Sequence, residues 1–181
     1  MSISTRPAAG EYAEYYAGYF ALVPDGDLLT HLRAQRERTV DLLAALDDEQ
    51  AARRYAPGKW SVKQVLGHMI DVERLFAFRA LAIARRDPSD QPSMDQDRWM
   101  DAVDFDARRI ASLVAEYRAV RDASLALIGS FDDAQADCRG RASGFPFTVR
   151  SLVYMLAGHE LHHLGVLRAR YGLGGPSGGP R

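Results

Sequence analysis

The sequence predicts an all-α protein, a four-helix bundle. Two observations carry this. Four long segments repeat apolar residues at the alternating three- and four-residue step of an amphipathic helix. No alternating strand pattern runs longer than a few residues, and no internal repeat appears. Four such helices in about 150 residues can bury their apolar faces only against one another, which is the bundle solution.

The chain has 181 residues, 47% of them hydrophobic, enough for a single domain with a substantial core. The reading divides it into an aromatic-rich extension (1–24), the bundle (25–172) and a flexible Gly/Pro/Ser-rich tail (173–181). The net charge of −1 supplies no field for nucleic acid or an anionic membrane. No apolar run reaches the length of a membrane span, and the N-terminus lacks the pattern of a signal peptide. The single cysteine, Cys138, excludes an intramolecular disulfide and fits a reducing cytoplasm. Its loop-like surroundings favour a thiol without a function.

In the extension, Tyr12, Tyr15, Tyr16, Tyr19 and Phe20 are expected to pack along the outside of the domain, where they form a candidate homodimer contact. Asp25-Gly26-Asp27 then punctuates the chain. Asp27 can cap a first helix running to about Leu46, with His31 on its rim. Pro57-Gly58 is a turn, and Ser61 with Gln64 makes a capping box for a second helix from Val62 to about Arg86. Its stripe is Val65, His68, Val72, Leu75 and Arg79. Asp71 and Glu73 stand beside that stripe as possible partners, and Glu73 reads more simply as part of a solvated face. A polar connection follows, from Asp87 to about Val103. Connections of that length without evident structure are often lids or binding loops, and Asp95, Asp97 and Trp99 are its candidate site residues. Asp104 or Asp106 can cap a third helix reaching about Ser130, with Ile110, Leu113, Tyr117, Val120, Ser124, Leu127 and Phe131 facing inward.

The fourth helix organises the rest. Thr148 is a plausible N-cap and Gly172 a plausible left-handed C-terminal residue. Between them Val149, Leu152, Leu156, His159, His163, Val166 and Arg170 form a seam. Two histidines thus occupy positions where a core helix normally carries Leu or Ile. Unpaired buried imidazoles cost free energy that something must offset. At i and i+4 they suit two ligands of one metal ion. His162 is also one turn from His159, but it falls on the line of Ser151 and Met155, off the seam. A bundle can bring His68 against His159 and His163. Three neutral imidazoles then make a ligand set for Zn, Ni, Fe or Mn with positions left open for a small-molecule substrate.

His159-Glu160-Leu161-His162-His163 also matches the H-E-x-x-H signature of zinc proteases. The extended form would need Gly at 166 and His at 169, where this chain has Val166 and Ala169. Little chain remains for a downstream ligand, and no strand is apparent to align a peptide.

Two blocks resemble a known family. Pro57-Gly58-Lys59-Trp60-Ser61-Val62-Lys63-Gln64-Val65-Leu66-Gly67-His68, with Glu73-Arg74 and Arg79-Ala80-Leu81, looks like the first block of the DinB/YfiT-like superfamily. Thr148 to Leu152 and Gly158-His159-Glu160-Leu161-His162-His163-Leu164 look like its closing block. The resemblance implies an up-down-down-up four-helix bundle with a divalent metal on His68, His159 and His163, and His162 as a neighbour rather than a ligand. It also implies kinship with thiol-dependent enzymes, bacillithiol transferases and the metal-binding domain of mycothiol-dependent maleylpyruvate isomerase among them. The leading expectation is therefore a metal-dependent transferase moving a low-molecular-weight thiol onto an electrophile, with Arg79 or another arginine holding the thiol's carboxylate. One alternative is a metal-dependent hydrolase that activates water, with Glu160 or Asp71 as base. The other is a stress-response or binding module that uses the metal without turnover.

Overall fold

The computed structural model describes residues 2–174. The expected tail therefore lies, beyond Gly174, outside the described residues. Four long helices dominate: α2 (Leu28–Ala44), α4 (Val62–Ala84), α6 (Ile110–Gly129) and α8 (Val149–Tyr171). Shorter ones fill the connections: α1 (Ala17–Leu22), α3 (Asp48–Ala51), α5 (Gln96–Asp101) and α7 (Asp133–Ala136).

The capping chemistry read from the sequence sets most of the long helices' ends. The Asp27 carboxylate accepts from Thr30 N at the start of α2. Ser61 and Gln64 close a capping box on α4, and Thr148 and Ser151 close one on α8. Gly172 ends α8 at φ 70°, where a side chain would clash with the backbone. The start of α6 differs from expectation. It begins at Ile110 after Arg109, which makes no side-chain cap. Its first free N–H is taken instead by Asp48 Oδ1 of α3, 2.6 Å from Ile110 N. Asp106 is occupied by the Ser61 hydroxyl and Arg54, and Asp104 accepts from Ala107 N.

The helices do not pack in chain order. α4 lies against both α8 and α6, and α2 lies against α6 and, less extensively, α8. The core divides into two clusters. One joins the first turns of α2 and α8 to the last turns of α4 and α6, through Leu28, Leu32, Ile83, Ile128, Leu152 and Met155. The other joins the opposite ends, through Val40, Leu43, Leu66, Leu113, Leu164 and Leu167. In α8 every residue from Val149 to Glu160 is buried. Beyond His163 the buried positions are Leu164 and Leu167 rather than the expected Val166 and Arg170.

A small sheet accompanies the bundle. β2 (Arg139–Ala142) pairs antiparallel with β3 (Phe145–Thr148), and β1 (Asp90–Gln91) pairs parallel with β2. Ser143 and Gly144 join β2 to β3 with positive φ at both positions, the geometry of a two-residue hairpin turn. The connection at 87–103 is thereby ordered at β1 and α5 rather than structureless.

The N-terminal segment is bound to the bundle. Phe20 is 3% exposed within the first cluster and stacks with Tyr12 and Tyr154. Arg6 donates to the carbonyls of Phe20 and Val23, and Tyr154 Oη donates to Ser4 O. Glu11 forms a buried ion pair with Arg150. Tyr12 and Phe20 are thus spent on the chain's own core, while Tyr15 stays 85% exposed.

Candidate metal centre

His68 projects from the second turn of α4, and His159 and His163 from successive turns of α8, on the surface where these helices meet. His159 Nε2 lies 3.1 Å from His68 Nε2 and 3.1 Å from His163 Nε2. One nitrogen of each ring lies within 4.8 Å of the others. Three nitrogens bound to one ion at 2.0–2.1 Å in tetrahedral geometry stand about 3.3 Å apart. Two of the three separations are therefore already close to the spacing a cation requires.

The rings are also in the right protonation state. Burial, with the charge of His162, pushes His68 down to about 4. Burial, with His68 and His162, pushes His163 down to about 3. His159 is driven well below the ordinary range by burial first and by the other imidazoles next. All three are neutral near pH 7, as metal ligation demands. His68 Nδ1 is buried without a hydrogen-bond partner, so the site is incompletely satisfied by protein atoms alone. The donor set fits a divalent cation. His162 is exposed, its ring edge-on to Tyr19, and does not join the cluster. His31 lies far along the chain from it, bonded to Asp25 O.

Beneath the triad runs a buried polar network that the sequence reading missed. Arg121 of α6 is fully buried and donates from Nε and Nη2 to the two Glu73 oxygens at 2.7 Å. Its Nη2 also donates to Glu160 Oε2 at 2.6 Å, and its Nη1 to Leu32 O at 3.3 Å. Tyr117 Oη and Thr39 Oγ1 both donate to Glu160 Oε1 at 2.5 Å. Glu73 is therefore a core residue and not part of a solvated face. The available signal was Arg121 itself, which continues the inward stripe one turn after Tyr117. One guanidinium and two carboxylates leave the network with a formal charge of −1 below three uncharged ligands. A cation at the triad would be offset by that charge.

The triad opens on two clefts. The larger, about 340 Å³, is lined by His68, His159, Val72, Phe76 and Met155, with Tyr15, Tyr16 and Tyr19 of the N-terminal segment as a wall. Arg79 and Ser143 also line it. The smaller, about 280 Å³, is lined by His163, Trp60, Tyr55, Tyr171 and Asp97. Gln96, the first residue of α5, borders both. The 87–103 connection thus contributes to the clefts through Ser93, Met94, Gln96 and Asp97. Asp95 caps α5, and Trp99 is 42% exposed. Asp71 borders neither cleft and lies 3.7 Å from Arg74, and burial raises its pKa. Cys138 is half-buried, its Sγ directed at Ala134 O.

The family model of the DinB superfamily matches residues 31–167, about three quarters of the chain. The chain belongs to the DinB superfamily. A relative in Oceanobacillus iheyensis, OB0413, a candidate metal-dependent hydrolase by name, is 25% identical over 139 residues, covering 75% of this chain and 79% of its own. Among solved structures, YfiT from Bacillus subtilis aligns with a TM-score of 0.64 at 17% identity, over 92% of this chain and 93% of YfiT. YfiT is described as a probable metal-dependent hydrolase with an unusual four-helix bundle topology. The likeness to YfiT establishes the bundle fold for this DinB-superfamily chain. Among the described residues no helix is long and apolar enough to cross a membrane.

Proposed function

We propose that this DinB-superfamily protein is a divalent-metal-dependent enzyme, a hydrolase of small molecules, working in the larger cleft against His68 and His159. The carrying observation is the convergence of three neutral imidazole nitrogens, from two helices, at the wall of that cleft. The names borne by OB0413 and YfiT support the same reading. A divalent cation held there would polarise a substrate carbonyl and lower the pKa of water. His68, His159 and His163 would hold it. Val72, Phe76 and Met155 give the cleft apolar lining, and Ser143, Tyr16 and Tyr19 are hydroxyl-bearing residues among the same lining. The open cleft beside the triad argues against a closed, purely structural site.

Neither carboxylate considered as a base borders this cleft. Glu160 accepts from Arg121, Tyr117 and Thr39, and Asp71 pairs with Arg74. Glu160 is spent on these three partners, and its charge contributes to the net −1 beneath the triad. Asp71 borders neither cleft.

A second reading, transfer of a low-molecular-weight thiol to an electrophile, is favoured by the two clefts that meet at the triad. A bimolecular transfer needs room for two partners. A thiol, with an ordinary pKa near 8.5, also needs less help than water to become a nucleophile. One experiment separates the readings. The metal-loaded protein is offered an ester and amide panel without thiol, then electrophiles with bacillithiol or mycothiol. Turnover of the panel without thiol supports the hydrolase, and thiol adducts formed only with metal support the transferase. Neither product at any metal loading would overturn the enzyme reading.

A further inference from the structure

Among the described residues, Arg79 is the one charged side chain bordering the larger cleft. It is 4% exposed, and no carboxylate among the described residues pairs with it. Its Nη2 donates to Pro92 O and to Ser143 Oγ, both neutral acceptors. Its Nε is buried with no acceptor at all. Asp90, whose charge reaches it, has its own carboxylate turned to Arg141 and Gly144 N. The other buried arginines are neutralised in place, Arg121 by Glu73 and Glu160 and Arg150 by Glu11 and Asp137. A buried guanidinium left uncompensated is costly. Packing of Arg79 over Phe76, 5.9 Å from the ring centroid, offsets only part of that cost. Burial accordingly pulls its pKa below the ordinary arginine range.

We infer that Arg79 is the substrate-anion site of this protein, and that the natural substrate is a small molecule with a carboxylate at one end and an apolar middle. The inference rests on the larger cleft being the substrate site. Arg79 follows His68 by eleven residues on α4, about 16 Å along the helix axis. Val72, Leu75 and Phe76 lie between them and border the same cleft. A carboxylate at Arg79 would place the apolar part of the molecule on these residues and its reactive group toward the histidines. A single guanidinium with one unfilled donor, Nε, suits one carboxylate oxygen, whereas a phosphate dianion would call for a second cation beside Arg79, where no other charged side chain among the described residues borders the cleft.

The test is binding, so that it stands apart from turnover. 4-Phenylbutyrate and its uncharged amide are titrated calorimetrically into the metal-loaded and the chelator-treated protein, beside inorganic phosphate. The carboxylate is expected to bind about tenfold more tightly than the amide in both forms, and phosphate more weakly than the carboxylate. Arg79→Gln should bring acid and amide to within twofold of each other. Arg74→Gln, away from the clefts, should leave the preference intact. In the wild type, the side-chain Nε–H resonance of Arg79, assigned by its disappearance in Arg79→Lys, should shift with the acid and not with the amide. That measurement decides the matter if Arg79→Gln does not fold. Equal binding of acid and amide by the wild type, a preference that survives in Arg79→Gln, an unmoved Nε–H resonance or tighter binding of phosphate would each overturn the inference. Carboxylate preference without turnover would refute the enzyme and leave Arg79 as assigned.

Discussion

His68 and His159 meet Nε2 to Nε2 at 3.1 Å although 91 residues separate them in the chain. Two neutral rings at that distance share at most one proton between those atoms, and a third nitrogen, from His163, stands equally close to His159. A cation would resolve the arrangement by accepting lone pairs from all three. Because only the folded chain collects them, metal must stabilise the native state. Chelator should lower the melting temperature by roughly 10 °C, the effect of about 4 kcal/mol at a thousandfold excess of metal over its dissociation constant. His68→Ala, His159→Ala and His163→Ala should abolish stoichiometric metal by elemental analysis and remove the chelator effect. His162→Ala and His31→Ala should keep both. Full occupancy in His68→Ala together with His159→Ala would disprove the ligand set.

Acid should expose the same three rings. Their pKa values are depressed in the folded protein, to about 4 for His68 and about 3 for His163, chiefly by burial, against 6.5 for an ordinary histidine. Between those values the unfolded chain binds protons that the native state refuses. The stabilising contribution is therefore complete above about pH 6.5 and is lost as the pH falls toward 4 and 3. In chelator-treated protein, urea midpoints should decline over this window. The decline should be shallower in His163→Ala, which removes one such group while leaving the carboxylates unchanged. Parallel profiles for the two proteins would show that His163 does not carry this linkage.

Much of this was legible because periodicity and capping are local. His68, His159 and His163 sit on apolar stripes, so a helical reading favours them over His162. The start of α8 and its end at Gly172 follow from Thr148 and a glycine that can turn left-handed. What stayed hidden depends on partners distant in sequence. Glu73 looks solvated until Arg121 is placed against it from another helix. The α6 cap comes from Asp48, 62 residues away. β2 and β3 are four residues each and carry Gly140 and Pro146, too short and too irregular to show alternation. The cleft wall of Tyr15, Tyr16 and Tyr19 looked like outer packing because nothing local ties a tyrosine to a histidine 140 residues downstream.

The Arg121 network should report on stability before it reports on rate. Arg121→Met leaves Glu73 and Glu160 buried beside each other without their cation. Breaking a buried pair in this way costs about 3–5 kcal/mol. Glu160→Gln keeps the volume and can still accept from Tyr117 and Thr39, so a smaller loss of about 1–3 kcal/mol is expected. Denaturant unfolding measures both. If Glu160 were a general base, Glu160→Gln would instead abolish turnover while leaving the unfolding midpoint and the metal content of the wild type.

The N-terminal segment should prove part of the site through one glycine. Gly158 immediately precedes His159, and a Cβ built on it would fall 2.3 Å from the carbonyl oxygen of Tyr19 and 2.7 Å from its carbonyl carbon. Those are backbone atoms, so no rotamer change can relieve the clash. In Gly158→Ala the segment carrying Tyr19 must move off α8. The helix itself should not suffer, since alanine is the better helix former at that position. The cost lies in the lost packing of Tyr19 and its neighbours, about 1–3 kcal/mol as for other overpacked sites. Hydrogen exchange should accelerate in residues 12–22, where the wild type is protected by α1, while α8 beyond His159 keeps its protection. Metal content should remain stoichiometric, because no ligand is displaced from its helix. Binding of 4-phenylbutyrate should weaken, because Tyr15, Tyr16 and Tyr19 form one wall of the larger cleft. Unchanged exchange and unchanged ligand affinity in Gly158→Ala would mean that the segment does not close on the cleft in solution.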